Sequence, residues 1–311
     1  MNTEYINKVS HTCSGPAADK PVGSIHISKK QLNFKHKREN IKGMITMAKY
    51  TAPPALKRQW VQLNKKEQRF LAKQYESSPS VINEKLDEYV PDKLRSALDT
   101  GFLKAFELIF EKGTGIIEKT YNKEKHQTSF MTNEYAESVN LNRRTLSASS
   151  KNSGIAQKKN LLLSGAEGVG MGILGIGLPD IPVFTAMILK GIYETALSYG
   201  YDYESENEQI FILKLIEASV SRGDDLYRSD KAINHFIYTG KPFKTTKKEQ
   251  MIKTSDSIAA ELLCMKFLQT IPVIGVIGGA YDVVFLNRVL KYADFKYQRR
   301  RLFSKLTPKE Q

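Results

Sequence analysis

Three carboxylates, Glu167, Asp180 and Glu194, lie within a glycine-rich and apolar part of the chain. Two carboxylates at one centre can serve as general acid and base. Asp180 and Glu194 on one unbroken helix would be about 21 Å apart along its axis, too far for a shared centre. Glu167 and Asp180 could meet, because the intervening glycines permit a tight reversal. Asp180 is also well placed to cap a helix that starts near Pro182, an interpretation we favour over catalysis. Glu167 has no such structural role, so its catalytic interpretation stays open.

The run GAEGVGMGILGIGLPDIP, residues 165–182, contains the letters of a dinucleotide-binding fingerprint at Gly170, Gly172 and Gly175. That fingerprint needs a strand before it and a continuing helix after it, whose N-terminus holds the pyrophosphate. The preceding KKNLLLSGAEG is too short for a strand with its turn, and two prolines interrupt the segment after the glycines. Other motifs are also missing: no Walker lysine, no nucleophile elbow, no HExxH and no CxxC. The sequence therefore predicts no cofactor and no metal site.

The same glycines have a second interpretation, in which they let helices approach each other closely. Gly168 and Gly172 have the small-xxx-small spacing, and so do Gly275 and Gly279. The uncharged runs around the two pairs are 12 and 15 residues long, whereas a membrane span needs about 20. Each run is long enough for a buried hairpin or for a re-entrant, interfacial element. Both alternatives stay open, and the four glycines are predicted to contact a membrane or a partner.

The net charge of +14 is concentrated at the two ends of the chain. Residues 1–43 carry eight Lys/Arg against three Asp/Glu, and residues 286–311 carry eight against two. Such ends can attract an anionic membrane surface, although a solvated terminus has the same composition. Arg299, Arg300 and Arg301 are the predicted contacts with anionic lipid or a membrane protein. Because basic and aromatic residues combine only near this end, no specific nucleic acid is expected.

Helical spacing of apolar residues, without alternating strand segments, predicts an all-α protein. We expect a disordered basic tail over residues 1–45 and one helical domain over 46–311, with two Gly/Pro-rich apolar elements. Helices are predicted from Ala55 to Tyr75, from Pro91 onward, from Pro182 to Tyr199, after a cap at Ser205, and from Thr246 to Leu268. The polar stretches 121–155 and 221–245 are predicted to be connectors. Two isolated cysteines, without a signal-peptide core, indicate a cytoplasmic protein or one on the cytoplasmic face of a membrane.

Three segments in order resemble the EcsC family, over about residues 55–305. They are VPDKLRSALDTGFLKAFELIFEKGTGIIEKTYNKEK, similar to the family's N-terminal helical part; LLLSGAEGVGMGILGIGLPDIPVFTAMILKGIYETALSYGYDYESENEQIFIL, similar to its core signature; and IPVIGVIGGAYDVVFLNRVLKYADFKYQRRRL, similar to its C-terminal element. The founding member is encoded beside the ATPase and membrane subunits of an ABC-type exporter. The resemblance thus implies a context for the protein rather than a reaction.

Two functions remain as hypotheses. The first is a non-enzymatic accessory or interaction protein, peripherally associated with a membrane and linked to an ABC-type transporter. The alternative is a carboxylate-using hydrolase or another enzyme, with Glu167 and Asp180 as its candidate catalytic residues.

Overall fold

The computed structural model describes residues 52–75, 92–171, 180–269 and 280–307, apart from the side chains at 112–114, 116, 161–171, 265–269 and 280–282. Every regular element in these ranges is helical, which confirms the all-α class. The helices are α1 (Pro54–Tyr75), α2 (Asp92–Leu108) continued by a π-helical turn (Ile109–Gly113), α3 (Thr114–Glu118), α4 (Lys123–Val139), α5 (Arg143–Leu146), α6 (Ala148–Met171), α7 (Ile181–Ser198), α8 (Glu206–Val220), α9 (Gly223–Thr239), α10 (Lys247–Gln269) and α11 (Ala280–Leu306).

The centre of the bundle is formed by α7, α8 and α11. From Gly191 to Ser198 every residue of α7 is buried, as expected for a helix enclosed on all sides. The main apolar cluster joins these three helices to α2, α9 and α10. A second apolar cluster, built around Trp60 and Leu302, packs α1 and α5 against the C-terminal half of α11.

Local signals set several helix boundaries as the sequence predicts. The Ser205 side chain accepts a hydrogen bond from the Glu208 backbone N–H (3.3 Å) and caps α8. Gly200 follows α7 with a φ of 80°, a conformation that favours glycine. A Cβ at Gly200 would also overlap the ring of Phe130 on α4, so this turn has no room for a side chain.

The two predicted connectors are helical, so that part of the prediction is wrong. Residues 121–155 contain α4, α5 and the start of α6, and residues 221–245 contain α9. These helices bury polar side chains: Glu137 on α4, Ser149 and Ser153 on α6, and Asp230 on α9. Because the partners of these side chains lie on distant helices, α4 and the start of α6 lack the apolar periodicity by which a sequence reveals a helix. Helix α9 does bury an apolar stripe, but the many polar and charged residues around it led to its prediction as a connector; the stripe consists of Leu226, Ile233, Phe236 and Ile237.

Among the helices in the described ranges, none combines the length and apolar character required to span a bilayer.

Candidate functional site: the glycine-rich end and the buried ion pairs

The two central helices α7 and α11 begin at the same level of the bundle. A Cβ at Gly191 would lie 2.5 Å from Cδ2 of Leu290, and the ring centroids of Phe184 and Phe285 are 5.3 Å apart. The earlier residue of α7, Phe184, meets the earlier residue of α11, and the later residue, Gly191, meets the later one. The two helices therefore run in the same direction. Gly191 and Leu290 each lie ten residues after the start of their helix, which is about 15 Å along the axis. The first turns of α7 and α11 therefore lie side by side.

The C-terminus of α6 reaches this same level. Ser153 Oγ donates to Asp294 (2.7 Å), and Gln157 Nε2 donates to the Leu290 carbonyl (3.3 Å), so α6 runs antiparallel to α11. Met171 ends α6 fourteen residues after Gln157, about 21 Å further along the axis. That distance carries the end of α6 past the first turn of α11.

The direction of α10 follows from its contacts with α2. Lys247 Nζ, at the start of α10, lies 6.0 Å from the ring centroid of Phe110. Nine residues later on α10, Asp256 is close enough to act on the charge of Asp99. Because the later residue of α10 meets the earlier residue of α2, the two helices run antiparallel.

The C-terminus of α10 therefore points toward the starts of α7 and α11. Gly101 of α2 lies beside the start of α7, where an added Cβ would be 2.7 Å from Cδ1 of Ile181. Glu261 lies eight residues before the end of α10, and it pairs with Arg288, which lies eight residues after the start of α11. Eight residues correspond to about 12 Å along a helix, so the end of α10 and the start of α11 lie at the same level. We call this level the glycine-rich end. It is defined by Met171, Ile181, Gln269 and Ala280.

Two of the predicted site residues can be placed at the glycine-rich end. Asp180 is exposed and its Oδ1 accepts a hydrogen bond from the Val183 backbone N–H (3.2 Å), so the predicted N-cap is present. Gly168 lies three residues before the end of α6. The remaining predicted glycines, Gly172, Gly275 and Gly279, lie outside the described residues, and so does the side chain of Glu167.

Two exposed apolar side chains lie close to the starts of α7 and α11. Val183, in the first turn of α7, is 42% exposed, and Val284, in the second turn of α11, is 51% exposed. Both side chains are thus available for contact with an apolar environment outside the protein.

Glu194 is buried far from Asp180, so these two carboxylates share no site. Its Oε2 accepts a hydrogen bond from Asn160 Nδ2 of α6, and its Oε1 is 3.6 Å from Nε2 of the partly exposed His126. Tyr121 stands edge-on to His126, with ring centroids 6.1 Å apart. Glu194 thus ties α4 and α6 to α7.

The three arginines predicted to contact lipid bind carboxylates within the protein. Arg299 Nε donates to Glu67 Oε2 (2.9 Å), and Arg301 Nη2 donates to Glu137 Oε1 (2.6 Å). Both arginines are buried; the partly buried Arg300 pairs with Glu208. They also lie about 30 Å along α11 from its first residue. The structure therefore separates them from the glycine-rich end and leaves little of their charge free for a lipid surface.

Lys296 is the most deeply buried cation of α11. Its Nζ lies 2.6 Å from Glu67 Oε1 and 2.5 Å from Asp230 Oδ1. Burial alone would lower the pKa of Lys296, but Asp230 and Glu67 raise it above its ordinary value. Burial alone would raise the pKa of Glu67, but Arg299 and Lys296 hold it below its ordinary value. Lys296 and Glu67 therefore keep their charges at neutral pH.

This buried network has a structural role. A lysine amine acts as a nucleophile only after losing its proton, and the raised pKa of Lys296 opposes that loss. Within the described ranges, no three His, Cys, Asp or Glu side chains are gathered as metal ligands would be. Sequence reasoning missed Lys296, although it stands seven residues after Val289 and four after Tyr292, on the buried stripe of α11.

Comparison with known proteins adds to these observations. A family model described as "EcsC protein family" matches residues 57–302. The chain belongs to the EcsC protein family. The family match begins within α1 and ends near the end of α11, so it includes the whole glycine-rich end and the buried ion pairs. The resemblance that the sequence suggested over about residues 55–305 is thus confirmed.

One EcsC-family relative is Protein EcsC of Bacillus subtilis (strain 168), which is 26% identical over 145 residues. The matched region covers 46% of this chain and 53% of the relative, so it spans about half the length of that protein. No solved structure matches the chain.

Proposed function

We propose that this EcsC-family protein is a non-enzymatic accessory protein that contacts a membrane surface through its glycine-rich end. In that position it would serve a membrane-protein partner, for which the resemblance suggests an ABC-type transporter. The observation that carries the proposal is the convergence of four helix ends on one level of the bundle.

The sequence between those helix ends supports contact with lipid. The chain leaves α6 through the uncharged stretch GILGIGLP and enters α7 after one charged residue, the cap Asp180. It joins α10 to α11 through TIPVIGVIGG, which also contains no charged residue. Two uncharged stretches are therefore attached at the same end, beside the exposed Val183 and Val284. Full burial of a valine side chain contributes about 1.5 kcal/mol or more, so several such groups can hold a protein at a bilayer.

The location of the arginines determines whether charge or apolar contact contributes more to the proposed lipid binding. Because Arg299 and Arg301 are buried in ion pairs away from the glycine-rich end, apolar contact contributes more than charge in this proposal. We expect binding to vesicles of zwitterionic lipid, with only a modest gain from anionic lipid and a modest loss in salt.

Vesicle flotation of the full chain tests the proposal. The double variant Val183→Asp/Val284→Asp places charges at the glycine-rich end, and we expect its lipid partition coefficient to fall at least tenfold. The matched control is Val139→Asp, because Val139 is exposed on α4. It lies two residues from Glu137, which pairs with Arg301 toward the opposite end of α11. Partitioning that is unchanged in the double variant, or equally reduced in the control, would refute the proposal.

A further arm separates lipid from protein as the contacted surface. Native membranes that bind the full chain, while vesicles of their extracted lipid do not, would contradict lipid contact and assign the glycine-rich end to a membrane protein.

A further inference from the structure

Helix α4 carries an apolar stripe that faces solvent. Met131, Tyr135 and Val139 follow one another at intervals of four residues, so they lie on one side of the helix. These three residues, together with Ile155 of α6, are between 67% and 72% exposed. Apolar side chains exposed singly are ordinary, but a contiguous set indicates a contact surface.

The neighbouring helix α6 runs antiparallel to α4, and two residues of the central helices fix their register. Arg301 donates to both Glu137 of α4 and Ser149 of α6. Glu194 is close to both His126 of α4 and Asn160 of α6.

Counting from these two bridges places Ile155 opposite Met131. The exposed residues of α4 and α6 therefore share one outer surface, which we call the α4–α6 face. It comprises Met131, Tyr135, Val139, Lys151, Ile155, Lys158 and Lys159.

The charge of the α4–α6 face is positive. Lys151, Lys158 and Lys159 are exposed and lie on the same side of α6 as Ile155, while Arg143 and Arg144 are exposed just beyond Val139. The carboxylate of Glu134 on α4 is bound to Arg301 and Lys305. A partner that covers this face would therefore meet apolar groups bordered by cations.

We propose that the α4–α6 face binds an acidic amphipathic helix of another protein. A helix of about three turns would place its apolar side on Met131, Tyr135 and Val139, because an i, i+4, i+8 stripe extends about 12 Å. Carboxylates on its flank would face Lys151, Lys158 and Lys159. Methionine adapts its shape to a partner, and tyrosine offers a large amphipathic surface at low entropic cost.

This inference is independent of membrane contact, because it concerns a different surface and needs no lipid. The test is fluorescence anisotropy of the full chain with dye-labelled 20-residue model helices. One peptide carries leucines on one side and glutamates on the other, and the second carries lysines in place of the glutamates. We expect the acidic peptide to bind at least tenfold more tightly than the basic peptide.

Two variants locate the binding. Met131→Ser/Tyr135→Ser should weaken binding of the acidic peptide at least tenfold, and Lys158→Glu/Lys159→Glu at least fivefold. Val284→Ser, at the glycine-rich end, is the matched control and should bind as the wild type does. Circular dichroism should show that all variants keep their helical content, since the substituted side chains are exposed.

The proposal fails if the two peptides bind equally, if binding is unaffected by both double variants, or if the acidic peptide does not bind. It also fails if these variants abolish binding to vesicles of anionic lipid, because the α4–α6 face would then contact lipid. Loss of vesicle binding in Val183→Asp/Val284→Asp, with peptide binding intact, would separate the two proposals.

Discussion

At the residue scale, this protein is organised by charges that lie inside it. Glu67 of α1 and Asp230 of α9 both bind Lys296 of α11 at the centre of the fold. Burying ions costs several kcal/mol each, so such a network is stable only while its charges remain paired. These contacts join the first described helix to the last.

Removing one charge from this network should therefore be costly. Glu67→Gln keeps the shape of the side chain but leaves Lys296 and Arg299 undercompensated. We expect a loss of roughly 3 kcal/mol in the free energy of unfolding, measured by urea denaturation. The exposed Asp225–Arg228 pair provides the control, and Arg228→Gln should change stability by less than about 0.5 kcal/mol. Equal effects of the two variants would contradict a structural role for the buried network.

Whether the sequence predicts the role of a residue depends on how far along the chain its contact partners lie. The cap at Asp180 involves the backbone N–H three residues later, and it is predictable from local order. The Arg299–Glu67 pair joins residues 232 positions apart, so a single sequence holds no sign of it. Three consecutive arginines suggested contact with a charged surface, because their carboxylate partners are far away in the sequence. In the structure, those partners lie within the protein and pair with the arginines.

At the element scale, the central feature is the close approach of α7 and α11. Gly191 allows it, because a Cβ at that position would lie 2.5 Å from Leu290 Cδ2. The sequence suggested close packing at other glycines and did not single out this one. The predicted connectors likewise missed α4, whose buried Glu137 depends on Arg301 of α11. They also missed α9, whose apolar stripe is interspersed with polar and charged residues.

Gly191→Ala should force these two helices apart. We expect a loss of about 1–3 kcal/mol in the free energy of unfolding, as for other overpacked cores. In contrast, Gly154 of α6 has no atom within 4 Å of an added Cβ, so Gly154→Ala should stabilise the protein by roughly 0.5–1 kcal/mol. Thermal denaturation of both variants measures the contrast. Gly191→Ala with no loss of stability would show that the helices are not held this closely.

A pair of carboxyl groups between α2 and α10 makes stability depend on pH. Burial, together with the nearby Asp256, raises the pKa of Asp99 from 3.8 to about 6, although Arg95 opposes the shift. A carboxyl whose pKa is higher in the folded state favours folding when it is protonated. Its contribution is complete below about pH 4 and is lost as the pH rises through about 6.

Asp99→Asn should consequently stabilise the protein at pH 7.5, by about 1 kcal/mol after allowance for solvent screening. The gain should disappear near pH 4, where the wild-type carboxyl keeps its proton. Urea denaturation at both pH values tests this, with Asp92→Asn in the exposed first turn of α2 as a control that should give no gain. A stabilisation that is independent of pH would rule out titration of Asp99 as its cause.

At the scale of the whole molecule, the proposed function depends on where the ends of four helices lie. The sequence reveals two glycine-rich uncharged stretches but not that both are attached at one end of the bundle. That relation depends on the mutual packing of α6, α7 and α11, and on the packing of α10 against α2 and α8. The proposed membrane contact therefore lies on a surface remote from the three arginines.

Hydrogen–deuterium exchange of the full chain, with and without phosphatidylcholine vesicles, tests whether the glycine-rich end contacts lipid. We expect lipid to slow exchange in peptides covering the first turns of α7 and α11 and the uncharged stretches before them. Peptides from α4 and from the last two turns of α11 should exchange at unchanged rates. Slower exchange around Arg299–Arg301, with no slowing at the glycine-rich end, would contradict lipid contact at that end, and so would an exchange pattern that lipid leaves unaltered.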